Sequence, residues 1–416
     1  MKRNYYLVVL IFLVFFAISF LTNILGSINP NVSDSFSLSG AMTGMLPFSF
    51  FIAYALMSVP SGMMVQRYRE KFSMIVAWSI ATLGAIIFAF APSFPLFLVS
   101  LFLIGSGMAI LQVAINPLLR VSGGEKHFAF LSVFAQLVFG GASYLSPMVY
   151  SYLVSNLKTP GTKSGLILSA LAKITPVNMP WVSLYWIFAA ISLLMVVVIA
   201  ISQFPNVKRK EDELVGAWAT HIELFKNKTI WLFFLGIFAY VGTEQGIANW
   251  ISEFLRTYHG LTPEIDGAKA VGLFWGMLTV GCLLGLLLLK ILDSRIVLRI
   301  FSIGALAVLL LTLFGTKQMA TIGFPALGFC LSVMWSVIFS LALNSISKYH
   351  GTFSGILCTG IAGGAIVPLL IGQLKDMIGL RAGMLILLAT LGYILSISFW
   401  AKPLVKNETI RNKGKA

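Results

Sequence analysis

Twelve separate stretches of this chain are apolar over roughly twenty residues or more, and that repetition limits the possible folds more than any single motif does. A hydrocarbon core about 30 Å thick is crossed by about 20 helical residues. A lone segment in lipid must satisfy its own backbone hydrogen bonds, which a helix does and an open strand does not. The stretches fall near 5–28, 39–65, 73–92, 95–121, 128–155, 180–203, 229–256, 267–291, 296–315, 320–346, 351–376 and 380–402. The expected fold is therefore an all-α membrane protein with twelve transmembrane helices.

Composition agrees and removes other classes. The chain is 58% hydrophobic and 10% charged, against roughly 45–50% and 25% for a soluble domain, which excludes a soluble enzyme. A net charge of +15 would point to nucleic acid only if the cations formed a solvated face, and they are too sparse for that. With the N-terminus inside, the cytoplasmic segments hold 21 Lys/Arg and the opposite side eight. That asymmetry predicts both termini in the cytoplasm, in a cell inner membrane. Cys282, Cys330 and Cys358 lie in apolar segments without metal or disulfide spacing, so they read as packing residues. The apolar run after Lys2 and Arg3 is too long for a signal peptide and reads as a first span.

The most polar stretch, 204–228, falls at the midpoint. The expected organisation is thus an N-terminal six-helix bundle at 1–203, a cytoplasmic central loop at 204–228, and a C-terminal six-helix bundle with a short tail at 229–416. Ile115-Asn116-Pro117 followed by Gly140-Gly141-Ala142 and Pro147 is echoed by Leu343-Asn344-Ser345 followed by Gly363-Gly364-Ala365 and Pro368, at offsets of 223–228. Two six-span repeats imply bundles that rock about a midplane substrate site. Glycine pairs are also common wherever helices pack closely; the shared order of Asn, Gly-Gly-Ala and Pro favours a repeat.

Ionisable groups are expensive inside a bilayer, so each is a functional candidate. One acid lies deep: Glu244, in Tyr240-Val241-Gly242-Thr243-Glu244-Gln245-Gly246-Ile247-Ala248-Asn249-Trp250, with no Lys or Arg at its depth. A lone carboxylate there is expected to hold a proton, as a cation-coupled carrier requires; hydrogen bonding to a neighbouring helix is the plainer alternative. Asn23, Gln112, Asn116, Gln136, Gln245, Asn249 and Asn344 supply amides, which donate and accept and so suit a substrate covered in hydroxyls. Gln112 and Asn116 share one helix face at i,i+4. Trp250, together with Tyr240, Trp275 and Trp335, could offer a flat apolar face to a sugar ring, although such residues more often pack. No metal site is expected, and the histidines at 127, 221, 259 and 350 sit in loops.

Gly62-Met63-Met64-Val65-Gln66-Arg67-Tyr68-Arg69-Glu70-Lys71 resembles the Gly-x-x-x-Asp-Arg-x-Gly-Arg-Arg loop of the major facilitator superfamily, with Gln66 for the acid and Arg69 for the second glycine. Leu111-Gln112-Val113-Ala114-Ile115-Asn116-Pro117 resembles the Leu-Glu-x-Ala-x-Asn-Pro signature of the fucose:proton symporter family of sugar permeases, a branch of that superfamily. The Tyr240-x-Gly-x-Glu244 and Trp250 pattern is similar to that of several members, sodium-dependent glucose carriers among them. The resemblance implies the two-bundle fold, a sugar substrate and cation coupling. It departs where the coupling acids should be: the span-four acid is Gln112, and the best match to the span-one Asp is Asn23. Asn23 and Glu244 are 221 residues apart, close to the repeat offset, so Glu244 is expected to take over coupling from the opposite half.

The expected function is a secondary transporter of a neutral sugar or sugar derivative, a monomer in the bilayer without nucleic-acid partner or bound cofactor. Its coupling ion is expected to be a proton rather than sodium, because only one deep carboxylate is available. A facilitative uniporter and a multidrug-type exporter of apolar compounds are the alternatives. The latter would need a pocket rich in the chain's 33 Phe and 16 Met.

Overall fold

In a computed structural model, residues 5–123, 128–158, 165–204, 224, 226–346 and 350–404 are described, and all their regular structure is helical. The helices are α1 (Tyr5–Thr22), α2 (Leu25–Phe36), α3 (Gly40–Phe90), α4 (Phe94–Gly123), α5 (Phe128–Lys158), α6 (Leu166–Ile174), α7 (Ser183–Ile201), α8 (Lys228–Ala248) and α9 (Ile251–His259). They continue as α10 (Ala268–Leu289), α11 (Ser294–Phe314), α12 (Lys317–Leu331), α13 (Met334–Leu343), α14 (His350–Thr359), α15 (Gly363–Ile378), α16 (Leu380–Gly383) and α17 (Ile386–Trp400). Eleven continuous helical segments among the described residues are long and apolar enough to cross a membrane.

One of the eleven is double. At 51 residues, α3 would be about 77 Å long if straight, more than twice the hydrocarbon thickness. The chain turns back at Arg69, whose φ of 68° and ψ of 167° break the helix, so α3 supplies the second and third spans. That backbone region is almost confined to glycine and costs a side-chain-bearing residue about 1–3 kcal/mol. Here stands the arginine that replaces the second glycine of the resembled loop. Arg69→Gly is accordingly expected to raise the thermal midpoint of the purified protein by a few degrees; an unchanged or lower midpoint would show that the turn is not strained.

Several spans are broken or longer than the sequence implies. The first was expected to end near residue 28, but α2 continues through Asn29, Asn31 and Asp34 to Phe36. The α-helix is interrupted by a turn at 23–24, between α1 and α2, and again at 249–250, between α8 and α9, although Asn23 and Asn249 still donate their N–H groups to the carbonyls four residues back. The two breaks are 226 residues apart. By the position of these turns Asn23 matches Asn249, at an offset of 226, while Glu244 stands 221 residues on. At both breaks an asparagine side chain reaches back four residues, Asn23 Nδ2 to Ser19 Oγ at 3.4 Å and Asn249 Nδ2 to the Gln245 carbonyl at 2.9 Å. Such local bonds compete with the helical ladder. The connection between the fifth and sixth spans contains α6.

Buried apolar side chains form two clusters. One runs from Leu7 to Ile199 and is joined by Ala268 and Ala365. The other runs from Leu224 to Ala401. Because the spans alternate in direction, the starts of α1 and α8 and the ends of α7 and α17 share one end, called here the terminal end. The two sequence halves bond to each other at the opposite, distal end. Asp376, near the close of α15, accepts from the backbone N–H groups of Gly40 at 2.6 Å and Ala41 at 2.8 Å, capping the start of α3. Arg256 of α9 pairs with Asp34 of α2 at 2.6 Å and with Glu253 at 2.7 Å, and Glu253 also pairs with Lys375 at 2.7 Å. Lys158 of α5 pairs with Glu264. Gly40 and Gly372 meet backbone to backbone, an approach that a Cβ at Gly372 would block.

Candidate functional site

Glu244 lies 16 residues into α8, about 24 Å from the terminal end and close to mid-membrane. It is partly accessible, whereas the residues flanking it on the same helix are buried. Tyr240, one turn earlier, donates its hydroxyl to Glu244 Oε1 at 2.8 Å. No ion pair to Glu244 is present among the described residues. The Tyr240 ring lies 6.0 Å from Trp335 of α13, and Trp335 stacks on Phe339 at 5.8 Å. The carboxylate thus sits beside an aromatic wall contributed by α8 and α13.

On the other side of Glu244 a row of amides leads out of the C-terminal half. Gln245 follows Glu244 on α8, and its side chain is buried. Asn249 Nδ2 donates to Gln245 Oε1 at 3.2 Å. Asn29 Nδ2, from α2, donates to the Asn249 carbonyl at 3.0 Å and to its Oδ1 at 3.4 Å. The row therefore runs from Gln245, the residue after Glu244, to the opposite half. Gly26 makes the close approach of the halves possible, since a Cβ there would strike the Ala248 carbonyl. Asn29 was not singled out from sequence. Its partner lies 220 residues on, outside the repeat offsets of 223–228, so no sequence signal marked it.

Asn23 is buried and donates to Ser143 Oγ at 2.8 Å. Ser143 shares a bond of 2.6 Å with Ser19, so the first and fifth spans are tied together in a small polar cluster. Gln112 is half-buried on α4 and Gln136 exposed on α5, about 17 Å and 12 Å from the terminal ends of their helices. The Asn116 side chain lies outside the described residues. Asn344 caps the end of α13, where its carbonyl accepts from the Leu404 N–H at 2.7 Å; that places it at the terminal mouth. Trp250 is buried, donates Nε1 to the Pro368 carbonyl at 3.2 Å and carries the Lys375 ammonium 5.3 Å above its ring. The structure brings together Glu244, Gln245 and Asn249, keeps Asn23 in a separate cluster with Ser19 and Ser143, and sets Asn344 and Trp250 apart.

The offset of 228 pairs Gln112 with Ser340 and Asn116 with Asn344. Ser336 and Ser340 are exposed on α13, next to half-buried Trp335 and Phe339, and Asn344 Nδ2 reaches Ser340 Oγ at 3.4 Å. Polar side chains at span depth face the protein interior or a water-filled cavity. Sequence reasoning missed Ser336 and Ser340, since serine is common in transmembrane helices as a packing residue.

The chain is similar to known proteins in sequence and in fold. A glucose/galactose transporter of Brucella abortus is 31% identical over 92% of this chain and 90% of its own length. An L-fucose-proton symporter of Escherichia coli is 26% identical over 84% of this chain and 82% of its own. Among solved structures, the E. coli fucose:proton symporter in an outward conformation superposes with a TM-score of 0.68 at 22% identity, over 95% of this chain and 98% of that one. A bacterial homolog of the human lysosomal transporter Spinster, inward-facing, gives 0.72 at 16% identity, over 96% and 98%. Residues 11–368 match the family described as Major Facilitator Superfamily. With that match spanning most of the chain, and the fold and a relative above 30% identity in agreement, the protein is a member of the Major Facilitator Superfamily.

Proposed function

We propose that this protein, a carrier and not an enzyme, moves a neutral sugar or sugar derivative across the inner membrane, with both termini in the cytoplasm and Glu244 as the proton-coupling group. The observation that carries the reading is a lone carboxylate near mid-membrane, flanked by an aromatic wall on one side and a row of amides on the other. Amides and hydroxyls read sugar hydroxyls in both directions of donation, and an aromatic face accepts the apolar side of the ring. A phosphorylated or carboxylated substrate would call for Arg or Lys at this depth, and none lies there. Similarity to a glucose/galactose transporter and to an L-fucose-proton symporter supports the substrate class. The residues proposed to meet substrate are Gln112, Gln136, Gln245, Asn249, Tyr240 and Trp335, in a protein working as a monomer.

A uniporter is the second reading, favoured by one observation: Asn23 and Gln112 occupy the places where the resembled symporters carry acids. Counterflow in proteoliposomes over a panel of neutral sugars, at pH 6 and pH 8 with and without sodium, separates the readings. Exchange of at least one sugar, concentrative only under an inward proton gradient and indifferent to sodium, is the expected result. Equilibrating transport at every pH would establish the uniporter. Binding of hydrophobic cations in place of any sugar would overturn the substrate class.

A further inference from the structure

Helix α6, in the connection between the fifth and sixth spans, leaves large apolar side chains exposed. Its sequence is Leu-Ile-Leu-Ser-Ala-Leu-Ala-Lys-Ile. Leu168 and Leu171 are buried, pointing toward the neighbouring helices α5 and α7. At 100° per residue, Lys173, Leu166 and Ala170 lie opposite the buried pair, and Ile167 and Ile174 lie on one flank. Leu166 is 90% exposed and Ile167 69%, and Val177 just beyond the helix is 96% exposed. A helix packed on one face and facing water on the other carries mostly polar residues outward. Here the outward side joins a single charge, Lys173, to the exposed Leu166, Ile167 and Ile174.

The position of the helix limits what can cover that side. It lies at the distal end, and the sixth span begins at Pro180, so the five residues 175–179 hold the end of α6 within roughly 17 Å of the span. Burial of Leu168 and Leu171 keeps it against the bundle. A short apolar helix held at that height borders the boundary between headgroups and acyl chains. There exposed Leu and Ile enter the hydrocarbon edge while a lysine reaches the phosphates. Phe90 and Trp186, near the distal ends of the third and sixth spans, pack ring to ring at 4.8 Å, as aromatic residues of a membrane interface do.

We infer that α6 is an interfacial helix whose Leu166, Ile167 and Ile174 face is buried in the distal leaflet, so that the fifth-to-sixth connection is a lipid-bound anchor of the N-terminal half. Neither transport nor substrate enters this inference. It is tested by spin labels at Ile167→Cys and Ile174→Cys, each in a chain with Cys282, Cys330 and Cys358 replaced by serine, reconstituted into phosphatidylcholine–phosphatidylglycerol vesicles. Several-fold greater collision with oxygen than with a water-soluble nickel chelate is expected at both sites. Dominant collision with the chelate would overturn the inference by placing the face in water. Exclusion of both reagents with spin–spin broadening would overturn it by placing a second copy there. Should the labelled variants fail to fold, the unaltered protein in nanodiscs with a diazirine-bearing lipid gives the same decision. Adducts on residues 166–174 are expected, and adducts confined to the spanning helices would overturn the inference.

Discussion

Glu244→Gln is expected to abolish concentrative uptake while leaving counterflow exchange running. Glutamine keeps the shape and one acceptor for the Tyr240 hydroxyl, now 2.8 Å from the carboxylate, but cannot gain or lose a proton. Substrate would still bind among the amides and the two halves would still rock, so exchange of labelled for unlabelled sugar survives. What is lost is the link to the cation gradient, where each tenfold of accumulation represents roughly 1.4 kcal/mol. The internal sugar concentration should settle at the external one. Accumulation by the variant equal to that of the parent would move coupling to another group. Loss of counterflow as well would make Glu244 a substrate ligand instead.

Asp376→Ala is expected to open the distal end. The Asp376 carboxylate holds the first N–H groups of the opposite half's second span at 2.6 and 2.8 Å, where the helix N-terminus also favours negative charge. Hydrogen bonds to a charged group contribute about 1.5–3 kcal/mol each when shielded. Asp376 is exposed, so solvent reduces the pair to about 1–2 kcal/mol in all. That corresponds to roughly a five- to thirty-fold shift in the ratio of distally open to distally closed molecules. Spin labels at Ser37 and Thr257, both exposed at the distal end, would report it as growth of the longer-distance population. Asp376→Asn, which keeps an acceptor, should lie between parent and alanine variant. An unchanged distance distribution would mean that Arg256–Asp34, Lys158–Glu264 and the Gly40–Gly372 contact close this end without Asp376.

Gln245, next to Glu244 on α8, is joined through Asn249 to Asn29, and Asn29 lies about one and a half turns before Asp34 on α2.

Much of this was legible in the residues. The number of spans follows from apolar length, because lipid offers backbone groups no partner and each crossing must be a complete helix. Glu244 stood out for a related reason: a carboxylate at that depth is too costly to keep without a use. The resemblance to sugar permeases rested on Gln112, Asn116 and their neighbours, and identity above 30% to a glucose/galactose transporter agrees with it. Partner choice was not legible. Asn29 and Asn31 fall beyond the expected end of the first span near residue 28, yet α2 includes both. There Asn29 donates to Asn249 and Asn31 donates to the Tyr150 hydroxyl at 2.8 Å. Trp250 read as a surface for a sugar and is enclosed by the eleventh span.

By itself the sequence determined that the chain crosses a membrane in helices, and that one carboxylate stands alone among amides at mid-depth. Both follow from the cost of placing polar groups in hydrocarbon, which each residue meets wherever its neighbours are. Only the tertiary structure decided that Asn23 and Asn249 stand at matching turns, that Arg69 turns the chain, and at which end the halves are bonded. Those outcomes depend on pairs more than 200 residues apart, or on how closely two backbones approach, and no local pattern records either.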